Sequence, residues 1–76
     1  MITVRLYGLL RLDSGIREMQ MDASSVKDVL QALSDLGIPK SKLDGCVILI
    51  NGISANKRSR LADGDTVVLM SPVAGG

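Results

Sequence analysis

Val26, Val29, Leu30, Leu33 and Leu36 fall at offsets of 0, 3, 4, 7 and 10, one apolar stripe at helical period in a chain otherwise patterned for strands. A helix with one apolar face must bury that face, and the elements around it predict a sheet as its partner. The limits of the helix are written beside it. Ser25 stands just before the first periodic residue with Asp28 three positions on, a capping-box pattern with Asp in the place of the usual Glu. At the other end Gly37 suits the left-handed position that closes a helix, and Pro39 forbids continuation. Lys27, Gln31 and Asp35 point away from the stripe.

The strand signals lie on both sides of this helix. Ile2, Val4 and Leu6 alternate with Thr3, Arg5 and Tyr7, the period of two of a strand with one face on a core. Gly8 opens a connection that runs to Gly15, and Arg17 to Met21 reads as a weaker return strand carrying Met19 and Met21 on one face, so a hairpin with a long loop is expected. Beyond the helix, Lys40, Ser41 and Lys42 read as a polar connection. Cys46-Val47-Ile48-Leu49-Ile50 is apolar at every position and stops at Asn51-Gly52, a turn pair. Ile53 to Arg60 is polar, with room for one short strand. Leu61-Ala62-Asp63-Gly64-Asp65 turns the chain into a last strand, Thr66 to Met70, which Pro72 ends because it has no amide to donate. The predicted fold is an α+β sheet of four to five strands with one main helix across one face.

A single helix covers one side of a sheet, so one apolar set stays outside. With Cys46, Ile48 and Ile50 turned inward, Val47 and Leu49 face outward beside Val68 and Met70, a contiguous surface for a protein partner. A shift of one residue would exchange the two sets.

Size and composition narrow the functional classes. A chain of 76 residues has room for one core. Nine basic and eight acidic side chains leave a net charge of +1, and Tyr7 is the only aromatic residue, which argues against a nucleic-acid module built on phosphate neutralisation or base stacking. Cys46 is the only cysteine and histidine is absent, so no metal centre is expected and no base and nucleophile pair is available for catalysis by the chain alone. Cys46 reads as core packing. Lys57, Arg58 and Arg60 form a small basic cluster, open to two readings: a solvated loop, or a patch that steers an acidic partner or phosphate. Met19 and Met21 read as core, and Gly64 as a turn. No secretory signal or membrane-length apolar run is present, so a cytoplasmic location and no membrane partner are expected.

One feature points to chemistry. After Thr66 no side chain is charged, and the sequence closes with Ser71-Pro72-Val73-Ala74-Gly75-Gly76. Without Cβ atoms Gly75 and Gly76 can enter a channel too narrow for other residues. The remaining charge there is the α-carboxylate of Gly76. Small residues also end many chains as ordinary frayed termini, so the segment alone leaves both readings open. The expected division is a domain over 1–70 and a flexible tail over 71–76.

Element order within this length resembles the ubiquitin-like β-grasp fold. Asp63-Gly64-Asp65, a strand, and then Pro72-Val73-Ala74-Gly75-Gly76 is similar to the ubiquitin-like sulfur carriers, and within them to the small subunit of molybdopterin synthase, a relative of the thiamine-pathway carrier. Leu69-Met70-Ser71 departs from that branch, which often shows aromatic residues and a second proline there. The resemblance implies that Gly76 is adenylated and then converted to a thiocarboxylate, which donates sulfur for dithiolene formation in molybdopterin. It implies that Pro72, Val73, Ala74 and Gly75 thread into a partner's active site. It implies three protein partners: an ATP-dependent E1-like activating enzyme, the large subunit of molybdopterin synthase and a persulfide sulfur donor. No cofactor is expected on the chain itself, since ATP is used by the activating enzyme. A carrier for the thiamine or another pathway, and a protein modifier joined to targets through Gly76, are the alternatives.

Overall fold

The computed structural model describes residues 1–71. In chain order the elements are β1 (Ile2–Tyr7), α1 (Leu9–Ser14), β2 (Glu18–Met21), α2 (Val26–Asp35), α3 (Lys40–Asp44), β3 (Val47–Ile50), β4 (Ile53–Ala55) and β5 (Thr66–Met70). The five strands form one mixed sheet in the order β2-β1-β5-β3-β4. β1 and β5, from opposite ends of the chain, pair in parallel at its centre, while the other three pairings are antiparallel.

α2 forms where its stripe and caps require. Ser25 Oγ accepts from the Asp28 amide, and the Asp28 carboxylate reaches back to the amide and hydroxyl of Ser24, one residue earlier than in a standard capping box. Those hydrogen bonds, the Ser24 hydroxyl first, hold the Asp28 carboxyl below its ordinary range. The helix ends in a Schellman motif: the Gly37 amide donates to Ser34 O at 3.0 Å and the Ile38 amide to Leu33 O at 3.2 Å, with Gly37 at φ 106°. Ile38 and Leu33 are both buried, the apolar contact that accompanies this motif.

Val26, Val29 and Leu33 of α2 press on Ile2, Val4, Leu6, Ile48, Val67 and Leu69 of the sheet to form the core. Leu36, the last residue of the expected stripe, is instead 57% exposed because it is the C-cap, where the chain turns away from the sheet. Ile38 takes its place in the core.

Two segments read as connections are helical. α1 occupies the expected long loop between β1 and β2, and buries Leu10 alone among its residues. Gly15 closes it at φ 73°, its amide donating to Arg11 O at 2.9 Å. α3 occupies the expected polar connection and buries Leu43. Each carries one core residue, too few to show a helical period. An ion pair between Lys42 of α3 and Asp13 of α1 ties the two together. Cys46 lies just before β3, half-buried against the core. Its Sγ donates to Leu43 O at 2.9 Å, and burial pushes the thiol pKa up.

The turn over Leu61–Asp65 joins several strands. The Thr3 amide donates to Asp65 O and the Gly64 amide to Met1 O. Asp65 Oδ2 accepts from the Ala62 amide at 2.9 Å and Oδ1 from Asn51 Nδ2 at 3.0 Å, while Asn51 Oδ1 accepts from the Thr66 amide at 3.0 Å. The Asn51-Gly52 and Asp63-Gly64-Asp65 turns thus clasp each other at one end of the sheet. The other end is where β5 runs toward the C-terminal segment.

Candidate functional site: the outer sheet face and the root of the tail

Register assigns the faces. Val67 and Leu69 of β5 are fully buried, so Val68 and Met70 lie on the face that no helix covers. Leu49 is directly opposite Val68 and Val47 opposite Met70. All four candidate contact residues therefore sit side by side on the outer face, with Val47 45% and Met70 37% exposed and Leu49 and Val68 half-buried.

The patch continues onto β1, where alternation puts Arg5 and Tyr7 on the face away from the core and the parallel pairing puts them next to β5. Arg5 is opposite Val68 and Tyr7 opposite Met70. Two rows result: Glu18, Arg5, Val68, Leu49 and Ser54 across the sheet, and Tyr7, Met70 and Val47 beside them. The Arg5 side chain is held by Glu18 at 3.3 Å and lies 5.8 Å from the centroid of the Tyr7 ring. An apolar centre with a polar border at one side is the anatomy of a protein contact surface.

The second part of the site is the point at which the chain leaves the sheet. Pro72, Val73, Ala74, Gly75 and Gly76 lie outside the described residues, so the structure locates their origin at Ser71. The α1 amide of Leu9 donates to Ser71 Oγ at 2.7 Å. A first-turn helix amide has no partner within its own helix, and here a residue 62 positions away supplies one. Gly8 makes the approach possible. A Cβ there would meet Ser71 Oγ at 2.8 Å, and its φ of 66° with ψ of −142° belongs to a region open essentially to glycine. Local sequence gave no signal for this contact, because the two partners stand at opposite ends of the chain. The root of the tail is thus fixed beside Met70 and Tyr7, at the border of the apolar rows.

Among the described residues no three His, Cys, Asp or Glu side chains are grouped as a metal ion would need. No helix among them is long and apolar enough to cross a membrane. Cys46, although it directly precedes Val47, packs against the core: its thiol is bonded to the backbone of α3, and burial makes it a weaker acid and a poorer nucleophile.

An open mixed sheet with its main helix on one face, a bare apolar outer face and an uncharged segment following the last strand define a ubiquitin-like β-grasp protein of the sulfur carrier and modifier class. Residues 4–76 match the ThiS family, and the chain belongs to that family. Solved structures agree. The chain is similar to small archaeal modifier protein 1 from Haloferax volcanii, with a TM-score of 0.84 and 26% identity over 99% of this chain and 98% of that one. It is similar to the protein of the same name from Methanosarcina acetivorans, with a TM-score of 0.79 and 29% identity over 99% and 95%. A third similar structure is the complex of subunits 1 and 2 of the molybdopterin-converting factor from Helicobacter pylori, where a chain matches with a TM-score of 0.74 and 28% identity over 99% and 97%. No curated protein matches the sequence.

Proposed function

We propose that this protein is a sulfur carrier whose Gly76 carboxylate is converted to a thiocarboxylate, and that it serves as the small subunit of a molybdopterin synthase. The observation that supports the reading is the uncharged Pro72-Val73-Ala74-Gly75-Gly76 segment that follows β5 in a domain similar to a molybdopterin-converting factor chain. A carboxylate is a poor acyl donor because its leaving group would be oxide. Attack of a Gly76 carboxylate oxygen on the α-phosphorus of ATP, with pyrophosphate leaving, gives an acyl-adenylate on the activating enzyme. The outer sulfur of a persulfide donor then displaces AMP to give an acyl disulfide joined to the donor. A second thiol attacks the donor's sulfur, breaking the S–S bond so that the Gly76 thiocarboxylate leaves and a disulfide remains on the donor.

The chain's own residues account for the physical part of this work. Ser71 to Gly76 spans roughly 20 Å when extended, at about 3.3–3.6 Å per residue. That reach carries the terminus into a partner's active site while the domain docks outside it. Pro72 restricts the residue before it, Ser71, to extended conformations. The absence of charged side chains after Asp65 means that enclosure of the tail desolvates only the terminal carboxylate. Val47, Leu49, Val68 and Met70 supply the apolar centre of the docking surface used by the activating enzyme and the large subunit in turn.

Similarity to small archaeal modifier protein 1 favours a second reading, conjugation of Gly76 to lysines of other proteins. Co-purification separates the two. Expression of the tagged protein with an E1-like enzyme and a molybdopterin synthase large subunit should yield a stable complex with the latter. Recovery of a ladder of covalent adducts and no large subunit would replace the first reading by the second.

A further inference from the structure

A groove lies on the side of the molecule opposite the outer sheet face. It runs between α2, α3 and the loop after β4, and encloses about 660 Å³. Five of the nine basic residues of the chain line it, Lys27, Lys40, Lys57, Arg58 and Arg60, and two of the eight acidic ones, Asp28 and Asp44. The groove therefore carries a net +3 and the rest of the molecule a net −2, although the whole chain is nearly neutral.

Its acids are already engaged. Asp28 accepts from the amide and hydroxyl of Ser24, and Asp44 Oδ1 lies 3.0 Å from Lys57 Nζ. Among the described residues Lys27, Lys40, Arg58 and Arg60 have no ion-pair partner. All four are exposed. The loop that bears the arginines is nonetheless fixed: the Val26 amide donates to Ser59 O at 3.0 Å, the Leu61 amide to Ser24 O at 2.9 Å, and the Arg58 amide to Asn56 Oδ1 at 2.8 Å. Beneath the charges the floor is apolar, made by Leu43, which is buried, and Leu30, which is half-buried.

We infer that this groove is a second docking site, and that it takes an acidic segment of a protein partner carrying an apolar side chain between its carboxylates. Charge complementarity selects the sign, since the exposed cations Lys27, Lys40, Arg58 and Arg60 surround the opening. The apolar floor and the size select a peptide over a free phosphate, which would need convergent donors and fill a small part of the space. Against a nucleic acid, the groove has no aromatic side chain on which a base could stack: Tyr7, the sole aromatic, lies on the other face of the sheet. Because the groove and the outer face lie on opposite sides, both can be occupied at once. The inference does not rest on the sulfur-carrier reading and survives or fails apart from it.

Its test is an amide-shift titration of the full chain with a capped glutamate-rich peptide carrying a central leucine. Expected are saturable shifts at Lys27, Gln31, Lys40, Arg58 and Arg60, with Val68 and Met70 unmoved. Affinity should fall at least about tenfold on raising salt from about 50 to 300 mM, as screening of exposed charges requires. Arg58→Glu with Arg60→Glu should weaken binding by a similar factor with an unchanged melt, and Lys27→Glu provides an independent variant on α2. Three results would overturn the inference: no saturation up to about 5 mM peptide, a weak-affinity ceiling well above millimolar; equal binding by the glutamine version of the peptide; or tighter binding of a single-stranded oligonucleotide at the same residues.

Discussion

Asp65 spends both carboxylate oxygens on neighbours, the Ala62 amide and the Asn51 side chain, and so joins two turns at one end of the sheet. The Ala62 amide, and then Asn51, hold its carboxyl below the ordinary carboxylate range. A depressed pKa means that the folded state favours the ionised form, so the contribution is present above the unfolded value of about 3.9 and fades as pH falls through the folded one. Asp65→Asn should therefore melt at a lower temperature than the parent at neutral pH, with the difference shrinking below about pH 4. Thermal melts of both proteins across that range check it, and a constant gap would show that ionisation of Asp65 contributes nothing. Cys46 is the contrasting case, a thiol made less acidic by burial and bonded to Leu43 O. Cys46→Ala should cost on the order of 1 kcal/mol of stability through lost packing. Sulfur loading measured on the variant should match the parent, and loss of loading with an unchanged melt would assign the thiol a chemical role.

Among the elements, α1 shows where local signals stop. Its sequence, Leu9-Leu10-Arg11-Leu12-Asp13-Ser14, buries one leucine and leaves Leu12 76% exposed, so no stripe marks it. What holds its first turn is Ser71, brought back by the parallel pairing of β1 with β5. Gly8 is the residue that tolerates the contact. Gly8→Ala should destabilise by about 1–3 kcal/mol, the usual cost of forcing a side chain into such a backbone conformation. Gly45→Ala, at φ −99° with open space around the new methyl group, should stay within about 0.5 kcal/mol. Denaturant unfolding of the two variants compares them, and equal costs would mean that the Gly8 approach is relaxed in solution. The elements that were legible carry their own instructions: Ser25 and Asp28 start α2, Gly37 and Ile38 end it, and the alternations in β1 and β5 assign their faces correctly. Those that were not legible, α1 and α3, each contribute a single core residue and are fixed by partners distant in sequence. The same distinction holds at the site, where the outward set Val47, Leu49, Val68 and Met70 followed from strand period and helix count, while the Ser71 anchor and the adjacency of Arg5 and Tyr7 required the strand order.

On the scale of the whole molecule, one helix face and one sheet face make the core, and no helix covers the opposite sheet face. Val68 stands at the middle of that outer face, between Arg5 and Leu49. Val68→Asp should weaken binding to the activating enzyme or to a synthase large subunit by about 2 kcal/mol or more, because the complex would bury an unpaired charge. The free domain should lose far less stability, since that face is open to solvent when no partner is bound. Severe unfolding with unchanged affinity would contradict the assignment of the face. The proposal that Gly76 carries sulfur is checked by the intact mass of the full chain after incubation with an E1-like activating enzyme, ATP, a persulfide donor and a thiol reductant. A sulfur carrier should show a mass gain equal to one oxygen replaced by sulfur, located at Gly76 by fragmentation and abolished when one residue is appended after it. An unchanged mass under conditions in which the same enzyme loads an authentic carrier, or sulfur gain by the extended chain without trimming, would contradict it.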